Sequence, residues 1–276
     1  MNAVEPAPTR GPLDYLGAGV RGLRDRPNLL RTIAVVTFFV VWELTGRDAN
    51  PLLMTYPTAI FEAGWQILTS GELLEAFAQS MTVFVIGMFI SIIGGIAIGV
   101  MIGQWWFFEY TLDPFINALY AIPRIALVPL IMLWVGLQDT GKITILVSIA
   151  IFPVIINTYS GIKDVRGSLL EIGRAFGASE RQIFFRITLP SAVPFVMTGI
   201  RLAVGLGIIG MIVAEFFTAI NGLGGLIVNY ANVFQTAKVF VPIIVLGLMG
   251  VGLTELVQYI ERRLSRWRIL ERARME

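Results

Sequence analysis

Apolar residues in this chain do not alternate with polar ones; they come in long blocks, and the polar residues collect between the blocks. Leu29 to Gly46 is the first block, with a charge-free centre from Ile33 to Trp42. Ser80 to Gly103 holds 24 residues without a charge, about 36 Å of helix, enough to cross a hydrocarbon layer roughly 30 Å thick. Leu112 to Gly136 is apolar but broken by Pro123 and Pro129, with Arg124 between them. Lys142 to Ile162 (containing Pro153 and Asn157), Ala192 to Ala214 and Val239 to Val257 follow, so the pattern predicts about six transmembrane helices.

Two weaker patterns lie between the blocks. After Pro51 and Pro57, residues Ile60, Phe61, Gly64, Ile67 and Leu68 recur at helical spacing and predict an amphipathic interfacial helix. In Asn221-Gly-Leu-Gly-Gly225 the glycines mark a tight turn before a short apolar helix, for which a re-entrant course is open. Within the second block Gly95, Gly99 and Gly103 stand four apart, a stripe that lets another helix approach closely in lipid.

Composition narrows the class. Of 276 residues 56% are hydrophobic and 14% charged, where a soluble domain carries about a quarter charged. There is no His and no Cys, which removes the usual metal ligands and His or Cys catalysis. We therefore expect no catalytic, cofactor-binding or metal-binding residue, and no nucleic-acid partner. The Pro-rich start, MNAVEPAPTRGP, shows no cleavable signal and reads as a disordered tail. Basic residues fix the expected orientation: sixteen fall on one side, up to Arg31, from Lys163 to Arg186 and from Arg262 to Arg274, against Arg47, Lys142 and Lys238 on the other. The positive-inside rule then puts both termini in the cytosol. The expected division is a tail over 1–28, a membrane domain over 29–262 with a cytoplasmic loop at 163–191, and a basic tail over 263–276.

That loop contains a polar island, Glu171 to Pro190, EIGRAFGASERQIFFRITLP. Ser168 with Glu171, and Ser179 with Gln182, have the spacing of capping boxes. Gly177 stands where a left-handed residue would stop the first short helix, and Pro190 is expected to end the second. Leu169, Leu170, Ile172 and Phe176 would leave the first helix with apolar surface in the cytosol, so it calls for a partner surface. Glu171 can also be read as no more than a helix cap.

Glu171, Gly177, Ile187, Leu189 and Pro190 together resemble the EAA loop of binding-protein-dependent ABC importer permeases. Ile172 and Gly173 stand where that motif usually has two alanines. The stretch IPRIALVPLIMLWVG resembles permeases of the nitrate, sulfonate and taurine group, as does Ala214-Glu215 followed by Gly-Leu-Gly. The resemblance implies a type I importer permease fold in the cell inner membrane. It also implies a two-fold pair, here two copies of this chain, two separate ATPase subunits that hold the ATP and magnesium, and an extracytoplasmic solute-binding protein. Glu171, Ala175, Gly177, Ile187, Leu189 and Pro190 would form the ATPase-coupling loop. Arg124 and Arg201 are candidates for the translocation path of a small anion such as a sulfonate, taurine or nitrate; Arg124 could equally snorkel to the headgroups. An aromatic acid or a pyrimidine-type precursor is the alternative solute. Ion-coupled carriage, a channel and a membrane-embedded enzyme are the other classes, the last needing clustered ionisable groups that the spans do not offer.

Gly136 to Lys142, GLQDTGK, imitates a phosphate-binding loop, but Ile143 stands where the magnesium-binding Ser or Thr belongs. No ATP site is expected in this chain, and it is not expected to be an enzyme.

Overall fold

The computed structural model describes residues 27–218 and 221–264, all of whose regular structure is helical. The expected tails lie outside the described residues, except for 27–28 and 263–264, which belong to helices. The described residues divide into two compact units, one ending at Glu62 and one beginning at Ala63. Among the described residues five helices are long and apolar enough to cross a membrane, or six spans if one bent pair is counted as a span. The chain is a multi-pass membrane protein.

In the first unit α1, Pro27–Asp48, exposes nearly all its side chains, as a helix surrounded by lipid would. Its end is tied to the segment that follows. Trp42 Nε1 donates to the Thr55 carbonyl at 2.8 Å. Glu43 accepts from Thr58 Oγ1 at 2.6 Å and from the Thr58 amide at 3.1 Å, covering a free N–H at the start of α2, Pro57–Thr69, whose residues from Ala63 on belong to the second unit. The predicted amphipathic helix is thus present, but its apolar residues serve two faces. Ile60 and Ile67 are buried, whereas Phe61 and Leu68 are exposed together with Trp65.

In the second unit α3, Glu72–Gln104, starts eight residues before the predicted Ser80, since Glu72 and Glu75 in its first turn suit the helix N-terminus. α6, Asp139–Lys163, is the centre. One side of it meets α3 along matched stripes four residues apart. A Cβ on Gly87 would lie 2.7 Å from Leu146, on Gly95 2.7 Å from Val154, on Gly99 2.6 Å from Thr158 and on Gly103 2.8 Å from Ile162. Ser91 continues the stripe and is fully buried. The other side meets α9, Leu189–Thr218, with Gly199 against the Pro153 carbonyl and Gly210 against Leu146. The Gly95, Gly99, Gly103 stripe therefore packs inside one chain, and gives no support to pairing of two copies.

The predicted span 112–136 is two helices at 85°: α4, Trp106–Ala121, and α5, Val128–Val135, with a 3₁₀ turn at Arg124–Leu127 between them. Pro123 sets the break, and Pro129 sits in the first turn of α5, where a missing N–H costs nothing. The short apolar helix after the glycine turn is α10, Gly222–Asn232; Gly222 has φ 85° and begins it. α11, Thr236–Leu264, completes the chain described.

The stripe yields a prediction. Gly99→Leu would drive its Cβ to 2.7 Å from the Ile155 carbonyl as well as into Thr158, and overpacking against backbone costs about 1–3 kcal/mol or more. Thermal unfolding in detergent should show a clear loss of stability. Gly205→Ala, with nothing within 4 Å, should be neutral or slightly stabilising.

Candidate functional site

The polar island folds as two helices, with two departures from expectation. α7, Gly167–Ala175, begins after Arg166, which provides no side-chain cap. Ser168 is therefore already inside the first turn, and the expected Ser168–Glu171 box does not form. The stop is as expected. Gly177 has φ 72°, its N–H donates to the Arg174 carbonyl at 2.9 Å, and the Ala178 N–H reaches back to the Gly173 carbonyl at 3.1 Å. These two bonds make a Schellman end.

The second helix, α8, Glu180–Ile183, opens on the expected capping box: the Gln182 amide donates to Ser179 Oγ at 3.3 Å and the Ser179 amide to Gln182 Oε1 at 2.8 Å. It does not end at Pro190. It runs through a π segment, Phe184–Thr188, into α9, a continuous span of 39 residues. The Leu189 N–H donates to the Phe184 carbonyl, five residues back, and this wider turn makes room for a proline ring that would break a regular helix.

α7 rests on this continuous helix at Gly173, which is buried; a Cβ there would come 2.9 Å from Ile187 Cδ1 and 3.3 Å from Ile183 Cγ1. The departure from the alanine usual in the EAA motif thus makes a closer crossing. On its outer side Leu169, Ile172 and Phe176 are exposed, Phe176 to 88%. Glu171, Ala175 and Gly177 are exposed, while Ile187, Leu189 and Pro190 are half-buried. Arg174 Nε pairs with Glu180 at 3.0 Å; this bond holds the guanidinium above its ordinary pKa.

Each candidate pathway arginine has partners within the chain. Arg124 Nη1 donates to the Ile149 carbonyl at 3.2 Å and Nη2 to the Tyr120 carbonyl at 2.7 Å. The Ile149 carbonyl is free because its helical donor would be the N–H that Pro153 lacks. The guanidinium also lies 4.7 Å from the ring centres of both Tyr120 and Phe152. Arg201, in α9, pairs with Glu261 of α11.

A further polar cluster gathers where α3, α6 and α9 meet α10. Glu215 is 1% exposed. Its Oε1 accepts from Ser80 Oγ at 2.6 Å and its Oε2 from the Gly224 amide at 2.7 Å. Ser80 Oγ accepts from the Leu223 amide at 2.8 Å, and Gln79 Oε1 from the Gly222 amide at 3.0 Å. Three free N–H groups at the start of α10 are thus met by two neighbouring helices. Lys142, from the rejected phosphate-loop imitation, is buried nearby and bonds Asn221. Sequence reasoning registered Glu215 as a landmark and gave it no role; the available signal was a carboxylate closing a span just ahead of a glycine turn. Among the described residues no group of acidic side chains is placed to hold a metal ion.

Residues 91–266 match the family model for the inner membrane component of binding-protein-dependent transport systems. An aliphatic sulfonates transport permease of Escherichia coli (strain K12) is 34% identical over 84% of this chain and 89% of its own. A formylaminopyrimidine transport permease of Halalkalibacterium halodurans is 30% identical over 86% and 95%. Among solved structures, an amino acid ABC transporter aligns with a TM-score of 0.55 at 14% identity, covering 73% of this chain and 96% of that one. That structure shares the fold.

The Glu215 cluster predicts a stability effect. Glu215→Ala would leave the Gly224 amide and Ser80 hydroxyl without their acceptor in a buried setting, at about 1–3 kcal/mol for each group. Glu215→Gln keeps an acceptor oxygen and should lose less. Unfolding temperatures in detergent should rank wild type above Glu215→Gln above Glu215→Ala.

Proposed function

This chain belongs to the family of binding-protein-dependent transport system inner membrane components, and from that premise we propose how it works as the permease of an ABC importer. Two copies of the chain form the solute path, with residues 29–262 as the permease domain. Both termini and the loop 163–191 face the cytosol. An extracytoplasmic binding protein delivers the solute. Two separate ATPase subunits carry ATP and magnesium, and the chain itself needs no cofactor and performs no catalysis.

The observation behind the coupling role is the outer face of α7. Leu169, Ile172 and Phe176 share one helical face and are all exposed, which is unfavourable for a nine-residue helix unless a partner covers them. Glu171, Ala175 and Gly177 lie in the same segment, Ile187 lies against its Gly173, and Leu189 and Pro190 follow Ile187 in the same continuous helix. Docked in an ATPase subunit, this face would carry ATP-driven closure to the spans as a rigid-body switch.

The solute reading is a small anion: an aliphatic sulfonate first, with taurine and nitrate in the same class. A relative named for sulfonates supports it, with Arg124 and Arg201 as the cations on hand. A pyrimidine-type precursor is the second reading, favoured by the formylaminopyrimidine relative and by the internal partners that both arginines already have.

Two experiments follow. Gly177→Val places a β-branched residue at φ 72°, costing about 1–3 kcal/mol at that turn. The permease should insert at normal levels, while ATPase co-purification or coupled ATP hydrolysis falls and uptake is lost. Normal co-purification together with full uptake would defeat the coupling role. Arg124→Gln should lower uptake of an aliphatic sulfonate about tenfold at equal complex levels, as expected for losing one charged hydrogen bond. Unchanged uptake would remove Arg124 from the path.

A further inference from the structure

α4 differs from the other long helices of the second unit, because none of its residues is buried. Its attachments to α6 sit toward its two ends. Near its start Glu109 Oε2 accepts from Lys163 Nζ at 2.6 Å and Oε1 from Tyr159 Oη at 3.1 Å. At its far end the Tyr120 carbonyl and ring are held by Arg124, which also bonds Ile149 and lies on Phe152. Ile149, Phe152, Tyr159 and Lys163 are spaced as one stripe of α6. So α4 is pinned to a single stripe at two points, three turns apart on its own axis.

The two pins are chemically unlike. The Arg124 pin bonds main-chain carbonyls at a corner that Pro123 and Pro153 already stiffen. The Glu109 pin joins side chains only, and Lys163 is the last residue of α6, four before α7 begins at Gly167. Exposed apolar side chains of a helix in lipid gain little from a neighbouring helix over the lipid itself. A carboxylate held by two donors one turn apart is fixed in direction.

We propose that Glu109 is a positioning residue for transport, which through Lys163 and Tyr159 makes the first half of the bent span follow the α7 loop. The inference rests on the coupling reading given above. In it the Arg124 corner is the fixed point, and α4 swings about that corner when the end of α6 is displaced. Rupture of the Glu109 pin leaves α4 held to α6 at one end only, its start then guided by the Trp105 junction with α3 alone.

The test uses the full chain in lipid nanodiscs with its ATPase subunits. The chain has no cysteine, so spin labels can be placed at Phe115→Cys on α4 and Ile93→Cys on α3, both exposed positions. The label distance is measured without nucleotide and after trapping with ATP and orthovanadate. In the otherwise wild-type chain trapping should change the distance. In Glu109→Gln the fraction of complexes that change should fall about fivefold or more, with ATPase subunits still bound. The exchanged pair Glu109→Lys with Lys163→Glu should restore it. A full change in Glu109→Gln overturns the proposal, as does a variant that only lowers the yield of complex. No distance change in a wild-type complex that holds its ATPases overturns the proposal alone. A wild-type chain that binds no ATPase overturns the coupling reading and this inference with it.

Discussion

In a bilayer an apolar side chain gains nothing by leaving one oily surface for another, so helices associate where their atoms come close enough for dispersion to accumulate. Here that condition is met by removing side chains from one partner. Gly87, Gly95, Gly99 and Gly103, with Ser91 between, form a furrow along α3, and Leu146, Val154, Thr158 and Ile162 of α6 fill it. The opposite side of α6 receives α9 at Gly199 and Gly210 by the same means. α6 is thus gripped from both sides, and the loop that follows it is presented from the most tightly held helix of the unit.

Close approach of smooth helices leaves the irregular places to be resolved separately, since an unpaired amide or carbonyl has no water to turn to in lipid. Three of these places are resolved by groups of the chain itself. The carbonyl freed by Pro153 is taken by Arg124. The proline at 190 is absorbed by a π turn closed by Leu189 and Phe184. The first amides of α10 are taken by Gln79, Ser80 and Glu215. The few polar groups inside the spans are mostly committed to such repairs, which is why a charge at mid-span, such as Arg124, is a weak guide to a solute path.

The six apolar blocks were legible because burial in lipid leaves a long, charge-free signature that depends on no partner. The left-handed stop at Gly177 and the Ser179–Gln182 box were legible for a similar reason: their chemistry is local, within a few residues. What escaped depended on residues far apart in the chain. Glycines at a fixed spacing say that something comes near, and α6 of the same chain was as compatible with them as a second copy. Ser80 and Glu215 stand 135 positions apart, and neither announces the other. Pro190 misled because the rule that proline ends a helix assumes a regular hydrogen-bond register, and the π turn shifts that register by one.

The loop itself joins local and distant constraints. Gly173 lets α7 cross close to Ile183 and Ile187, residues of the same unbroken helix that becomes α9. The Schellman end at Gly177 fixes the angle at which the chain turns from one to the other. A push on the exposed face of α7 therefore acts on α9 through a side-chain contact and a capped turn, with no flexible linker between them. It acts on α6 through only three residues, Asp164 to Arg166. Because α6 and α9 are seated on one another through glycines, the two routes cannot diverge far without opening that seam. The loop is thus mechanically bound to the centre of the unit, and α4, with no buried residue, is the helix left with most freedom to respond.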